Sequence, residues 1–171
     1  MDSYTLILLT LILSAFFSGM EIAFLSSNKL KIELDKNKGV FSARLISQFV
    51  KKPSHLISAL LVGNNIALVM YGLVIAKKLQ PFLALNLPVS LNNDFFVFLF
   101  QTILSTLLIL VVAEFLPKII FRINANAIIS FFALPLSLFY YILYPINFLF
   151  TSISEFILKY IFRVNIKGKE Y

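Results

Sequence analysis

The stretch "YTLILLTLILSAFFSGMEIAFL", residues 4–25, combines a long apolar run with a few polar side chains. Crossing the ~30 Å hydrocarbon core of a bilayer takes about 20 helical residues, so this stretch is long enough to span it. Ser14, Ser18 and Glu21 recur at i, i+4 and i+7, which places them on one face of a helix. A carboxylate inside a membrane helix is costly and normally faces the interior of a helix bundle. The stretch therefore predicts a membrane helix with one functional face.

The composition of the whole chain is that of an integral membrane protein. Of its 171 residues, 60% are hydrophobic and 13% are charged, and the mean hydropathy is +0.91. In soluble domains about a quarter of the residues are charged. The chain has no cysteine, which excludes disulfides and thiolate metal sites, and its single histidine excludes a metal site built from several histidines. In a membrane protein the net charge of +7 marks the cytoplasmic side and does not indicate a nucleic-acid partner.

Two further stretches, residues 56–76 and 95–116, are long and apolar enough to cross the bilayer. The segment between the first two spans is rich in lysine, and segments of this kind lie on the cytoplasmic side. We therefore expect the N-terminus outside, residues 79–94 as an outer loop, and the C-terminus in the cytoplasm. The membrane is expected to be the plasma or inner membrane of the cell.

A fourth apolar stretch, residues 127–150, contains two prolines and has two interpretations. If it crossed the membrane, the basic C-terminal residues would lie outside, whereas they stay in the cytoplasm if it lies along the interface. The positive-inside rule favours the second interpretation, and the prolines suit a broken, belt-like helical segment. We expect an all-α membrane protein with a three-helix core (1–126) and a juxtamembrane belt (127–165). Residues 166–171 are expected to begin a linker to a cytoplasmic domain.

The second and third spans also carry polar groups, and these groups offer oxygen atoms. The second span has four polar or glycine residues: Ser58, Gly63, Asn64 and Asn65. The third span has Glu114, followed by Pro117, which has no N–H and so frees the carbonyl of Ala113. Hydroxyl, amide, carbonyl and carboxylate oxygens are ligands of hard cations such as Mg²⁺, Ca²⁺ or Na⁺. The three spans together therefore predict a cation site.

Each of these residues also has a purely structural interpretation. Serine and glycine in membrane helices often serve close helix packing, and asparagine hydrogen-bonds between helices. Glu21 is able to reach the headgroups or to pair with Lys29 or Lys118, and Glu114 is four residues before Lys118. No single residue favours a site over these alternatives. The combination on three separate helices does.

Three motifs, in this order, resemble the transmembrane domain of the CorC/CNNM magnesium transport proteins: "LSAFFSGMEIAFLSSNKLKIE", "LLVGNNIA" and "AEFLPKII". The resemblance covers essentially the whole chain. It implies a homodimer with three membrane helices and a juxtamembrane belt in each subunit, followed by nucleotide-binding CBS domains. It also implies a membrane site for dehydrated Mg²⁺, with Na⁺ as the proposed driving ion. Matched by motif position, the implied ligands are Ser18, Gly63, Asn64 and Glu114, with Glu21 nearby.

Two positions depart from the family pattern. Met20 stands where many relatives have Ser or Thr, and Ala59 stands where a hydroxyl often precedes the Gly-Asn element by about four residues. Both departures remove an oxygen ligand, so that either another residue replaces it or ion affinity and preference differ. We regard four further groups as candidate ligands: Ser14, Ser58, Asn65 and the Ala113 carbonyl.

The expected function is export of Mg²⁺ by alternating access in a dimeric membrane domain. No nucleophile–base pair or phosphate-binding loop stands out, so we expect no enzymatic activity. One alternative is a membrane sensor or scaffold in which a bound cation is structural and the cytoplasmic domain signals. A membrane-damaging or assembly factor is a third interpretation. Ion flux in liposomes separates transport from the others.

Overall fold

The computed structural model describes residues 2–88 and 92–160, apart from the side chains of residues 150, 151 and 154–160. Within these ranges the chain forms helices joined by short connections, and no strand occurs there. The all-α prediction is therefore confirmed. The end of the predicted belt, residues 161–165, and the predicted linker, residues 166–171, lie outside the described residues.

Three helical segments are long and apolar enough to cross a membrane. The first is α1 (Ser3–Ser26), whose 24 residues measure ~36 Å along the helix axis. The second is α4 (Pro53–Asn86). The third is built from consecutive pieces: α5 (Asp94–Leu108), a π-helical segment (Ile109–Phe115) and α6 (Leu116–Ile123). The three predicted spans are confirmed, and the second and third are longer than predicted.

The predicted outer loop, residues 79–94, is wrong in its first half. Helix α4 continues through Pro81 to Asn86, and the Leu87 N–H closes it by donating to the carbonyl of Leu83 at 2.9 Å. Proline removes one backbone hydrogen bond from a helix. The residues around it are mostly Leu, Ala, Lys and Gln, which favour helix strongly enough to continue it.

Two short helices join the first span to the second at one end of the bundle. Helix α2 (Lys29–Asn37) begins after Asn28, whose side-chain oxygen accepts from the Lys31 N–H at 3.0 Å. Gly39 turns the chain with φ +85°, a conformation that favours glycine, into α3 (Phe41–Lys51). One face of α3 is buried through Ala43, Ile46, Ser47 and Phe49, and the helix packs mainly against α2 and the fourth apolar stretch.

The fourth apolar stretch forms α7 (Ala125–Phe131) and α8 (Ala133–Tyr160), which meet at a bend of 67°. At its start, the Asn126 side-chain oxygen accepts from the Asn28 N–H, just after α1, at 2.8 Å. Further along, the Asn147 amide donates to the His55 carbonyl at the start of α4, at 3.1 Å. The end of α1 and the start of α4 lie at the same end of the bundle, so the segment leaves that end and returns to it. We call α7 and α8 together the belt, after the predicted juxtamembrane belt; their position relative to the membrane stays a prediction.

Helix α1 is the central element, packed against α4, the π-helical segment, α6 and α7. A cluster of buried apolar residues lies where α1, α3, α4 and the belt meet, and it includes Phe17, Phe24, Ile46, Phe49, Leu56, Ile129 and Leu136. Met20 and Ala59 belong to this same cluster and are 0% and 1% exposed. At both positions where the chain departs from the family pattern, the side chain is therefore part of the apolar core.

Candidate cation site between the membrane helices

One hydrogen bond joins the first and third spans in the interior of the bundle. The buried Ser18 hydroxyl donates to the backbone carbonyl of Ala113 at 2.6 Å. This carbonyl lies in the π-helical segment, where the Leu116 N–H donates five residues back to Val111. Pro117, two residues after this segment, offers no backbone N–H. The Ala113 carbonyl thus takes part in a contact between spans.

A second hydrogen bond joins the first and second spans. The Ser14 hydroxyl, on a side chain that is 1% exposed, donates to the Asn64 side-chain oxygen at 2.6 Å. Ser14 precedes Ser18 by one helical turn, so the two contacts are ~6 Å apart along α1. Polar groups from all three predicted motifs therefore meet along one face of the first span.

The close approach of the helices depends on glycine at position 63. A Cβ atom added to Gly63 would lie 2.8 Å from the Phe17 ring and 2.9 Å from the Leu143 side chain, closer than real Cβ contacts. A Cβ atom added to Gly19 would lie 2.6 Å from the Phe121 ring. The absence of a side chain at Gly19 therefore lets α6 pack closely against α1. These two glycines set the helix spacing that lets short serine side chains reach neighbouring spans.

Two of the candidate ligands lie elsewhere on α4. Asn65 is exposed and lines a cavity of about 620 Å³ whose other walls are apolar: Val62, Ile66, Val69, Met70 and Ile146. Ser58 is half-buried and lies six residues before Asn64, so the two do not share a helix face. The structure therefore brings together Ser14, Ser18, Asn64 and the Ala113 carbonyl and leaves Ser58 and Asn65 outside this group.

The two intramembrane carboxylates lie near these contacts along the chain. Glu21 follows Ser18 by three residues, Glu114 directly follows Ala113, and both side chains are half-buried. The ion pairs in the described part of the chain are Glu33–Lys36 and Asp35–Lys38. The alternative ion pairs, of Glu21 with Lys29 or Lys118 and of Glu114 with Lys118, are therefore not seen among these residues.

Lys29 has a different role, at the end of the first span. Its ammonium donates to the Phe24 carbonyl and, at 2.9 Å, to the Ser27 hydroxyl, and it lies 3.6 Å from the centroid of the Phe24 ring. A cation at this position satisfies carbonyls at the C-terminus of a helix and interacts favourably with the helix dipole. Burial lowers the pKa of Lys29 to about 8.

A cation here would be bound mainly by neutral oxygens. The described residues contain no group of three or more His, Cys, Asp or Glu side chains able to hold a metal ion. Each serine donates its hydrogen to another oxygen and keeps lone pairs that are able to bind a cation. The Ala113 carbonyl and the Asn64 amide oxygen, which contact these serines, are also oxygens of the kind that hard cations prefer.

The comparison of sequences decides the family. Residues 5–170 match the cyclin M (CNNM) transmembrane N-terminal domain. The chain belongs to the cyclin M family. The resemblance of its three motifs to the CorC/CNNM proteins is thereby confirmed.

The cyclin M domain is also similar to curated bacterial proteins. It is 26% identical over 152 residues to a UPF0053 protein of Haemophilus influenzae, covering 89% of this chain and 34% of that protein. It is 26% identical over 153 residues to the UPF0053 inner membrane protein YfjD of Escherichia coli, covering 86% and 32%. It is 29% identical over 163 residues to the UPF0053 protein MG146 of Mycoplasma genitalium, covering 91% and 36%. The chain thus spans about a third of the length of these relatives, and the inner-membrane relative agrees with its three membrane-spanning helices.

Two buried hydroxyls of the cyclin M domain were missing from the predicted set. Thr10 precedes Ser14 by one turn, and Tyr71 follows Asn64 by two turns; both are 1% exposed. The helical period that relates Ser14 to Ser18 also selects Thr10, and the same reasoning on α4 relates Tyr71 to Asn64. Both residues are therefore identifiable from the sequence when the polar faces of α1 and α4 are extended beyond the three motifs.

Proposed function

We propose that this cyclin M domain transports Mg²⁺ through a dehydrated-ion site between its three spans. The observation that carries the proposal is the pair of contacts Ser18–Ala113 and Ser14–Asn64, which links oxygen atoms from all three motifs. The proposed ligands are the Ser18 hydroxyl, the Gly63 carbonyl, the Asn64 amide oxygen and the Glu114 carboxylate, with Glu21 nearby and the Ala113 carbonyl as an additional ligand.

The oxygen spacing is compatible with a small cation. Mg²⁺ binds oxygens at 2.0–2.1 Å in octahedral geometry, so neighbouring ligands are about 2.9 Å apart. The two oxygens of the Ser18–Ala113 contact are 2.6 Å apart. Binding Mg²⁺ between them therefore requires them to separate by only a few tenths of an ångström. The serine hydrogen then turns away, and the cation takes its place between the oxygens.

The proposed cycle exports the ion. Mg²⁺ enters from the cytoplasm, attracted by Glu21 and Glu114, and loses part of its water shell to the protein oxygens. The domain then opens to the outside and releases the ion, with Na⁺ as the proposed coupling ion. We place the N-terminus outside and the C-terminus in the cytoplasm, with the chain in a homodimer and a CBS-type domain beyond it. The proposal involves no covalent chemistry, and the protein is accordingly a transporter and not an enzyme.

The test is Mg²⁺ flux in proteoliposomes with and without a Na⁺ gradient. Asn64→Ala and Glu114→Gln are expected to abolish flux in a protein that remains folded. Asn65→Ala is the matched control, because this neighbouring asparagine faces the apolar cavity and should transport at the wild-type rate. Normal flux by Asn64→Ala would show that the site is wrongly assigned. Wild-type protein that binds Mg²⁺ without flux would instead indicate a sensor or scaffold with a structural cation.

A further inference from the structure

The buried polar face of α1 extends beyond the proposed cation site. Thr10, Ser14 and Ser18 follow one another at intervals of four residues, and each is 1% exposed. Successive members are ~6 Å apart along the helix, so the row covers ~12 Å. The Thr10 hydroxyl donates to the carbonyls of Leu6 and Ile7, at 2.9 Å each, and its lone pairs remain able to accept.

On α4 the corresponding residue is a buried tyrosine. Tyr71 lies seven residues after Asn64, which returns it to nearly the same helix face. It is 1% exposed, and its hydroxyl has no hydrogen-bond partner among the residues that the structure describes. An unpaired buried hydroxyl is unfavourable by about 1–3 kcal/mol. Phenylalanine would fill the same space without this penalty, so packing alone does not account for the oxygen.

The contacts between α1 and α4 show where these residues lie. The helices are antiparallel: Ser14 meets Asn64, and nearer the start of α1 the Lys78 ammonium lies 4.9 Å from the Tyr4 ring centroid. Thr10 lies between Tyr4 and Ser14 on one helix, and Tyr71 lies between Asn64 and Lys78 on the other. Both hydroxyls therefore lie beyond the Ser14–Asn64 contact, on the side away from Glu21 and Glu114.

We propose that Thr10 and Tyr71 line the path by which the cation leaves the site toward the far side of the membrane. The proposal rests on the transport function proposed above. Mg²⁺ holds its water strongly and must regain it on release. Hydroxyls spaced along the path supply oxygens to the partly hydrated ion after the Ser18 and Asn64 ligands have been left behind. The Tyr71 hydroxyl both donates to and accepts from water. It contacts the ion during release and is not a ligand of the ion in the binding site.

The experiment removes each hydroxyl with little change in shape. Tyr71→Phe and Thr10→Val are reconstituted in proteoliposomes, and Mg²⁺ flux is measured beside the Mg²⁺ dissociation constant in detergent. We expect flux to fall at least fivefold while the dissociation constant stays within twofold of wild type. Thr10→Ser, which keeps the hydroxyl, should restore flux. The thermal midpoint of Tyr71→Phe should equal or exceed that of wild type, because no hydrogen bond is lost.

Matched controls separate the path from general effects of the substitutions. Thr102 makes the same kind of backbone hydrogen bond, to the Phe98 carbonyl at 2.8 Å, but it is exposed, so Thr102→Val should leave flux unchanged. Tyr4 is 72% exposed, and Tyr4→Phe should also be neutral.

Four results would overturn the proposal, and they are distinguishable. Normal flux in both Tyr71→Phe and Thr10→Val, with flux still lost in Asn64→Ala, overturns the path alone. Loss of Mg²⁺ binding together with flux in Tyr71→Phe overturns it as well, because Tyr71 would then belong to the site. Absence of wild-type flux overturns the proposed transport function and the path with it. Normal flux in Asn64→Ala overturns the assigned site, and with it a path that starts from that site.

Discussion

Adding one methyl group at position 63 should both destabilise the fold and disrupt the proposed site. In Gly63→Ala the new Cβ atom would lie 2.8 Å from the Phe17 ring and 2.9 Å from the Leu143 side chain. Favourable contacts between carbon atoms occur at about 3.5–4.0 Å, so the helices must separate by up to about 1 Å or the ring must turn. Overpacking of this kind typically destabilises a protein by about 1–3 kcal/mol.

The same displacement reaches the neighbouring residue. The Ser14–Asn64 hydrogen bond is 2.6 Å long, and adding about 1 Å brings it to about 3.6 Å, beyond the range of a hydrogen bond. The Asn64 oxygen would then be displaced from the face that Ser14 and Ser18 share. We therefore expect Gly63→Ala to weaken Mg²⁺ binding as well as the fold.

Gly72 on the same helix provides the matched control. It is exposed, and a Cβ atom there meets no described atom within 4 Å. Gly72→Ala shares the change in helix propensity, at most about 1 kcal/mol, but not the steric clash. The difference in unfolding free energy between the two variants should be about 1–3 kcal/mol. Titration with SDS, followed by circular dichroism, measures this difference, and calorimetric titration with Mg²⁺ measures binding.

A second substitution tests whether the Phe17 ring is the cause. Leucine lacks the ring atoms that the new methyl meets, so Phe17→Leu in the Gly63→Ala background should recover part of the lost stability. Non-additivity of this kind is expected only for residues in contact. Equal stability and equal Mg²⁺ affinity of Gly63→Ala and Gly72→Ala would refute the close approach of α4 to α1.

Two further substitutions test the third span and the end of the first. Pro117→Ala restores a backbone N–H that competes with Ser18 for the Ala113 carbonyl. At about 1 kcal/mol per hydrogen bond, Mg²⁺ affinity should fall about fivefold, and the thermal midpoint should rise. Unchanged affinity in calorimetric titration would contradict this. The pKa of Lys29 is about 8 in the folded state, against 10.5 as the ordinary value for lysine, so the unfolded state binds more protons between these pH values. Stability should therefore rise from pH 8 to 9.5 in thermal unfolding, and Lys29→Met should flatten this rise whereas Lys31→Met should not.

Features that depend on local chemistry were predictable from the sequence. The three spans follow from the length of the apolar runs, and the available Ala113 carbonyl follows from the absence of an N–H in Pro117. The alignment of Ser14 with Ser18 follows from the helical period. None of these inferences requires knowledge of how the helices pack.

Features that depend on helix packing were not predictable in the same way. Asn64 and Asn65 are adjacent and chemically identical, and only the rotation of α4 decides which one meets Ser14. That rotation is set by the contacts of Gly63 with Phe17 and Leu143. The continuation of α4 through Pro81 likewise depends on a balance between one lost hydrogen bond and the helix propensity of the residues around it.

The belt and the proposed site share the same packing. Phe17 lies against Gly63 on one side, and its ring centroid is 5.1 Å from that of Phe139 in α8 on the other. Leu143, one turn further along α8, also lies against Gly63. The glycine that positions Asn64 is thus in contact with the first span and with the belt at once. Because a packed core has low compressibility, we expect a shift of α8 to be transmitted to the distance between Ser14 and Asn64. The belt therefore helps to set the geometry of the site, although it contributes none of the proposed ligands.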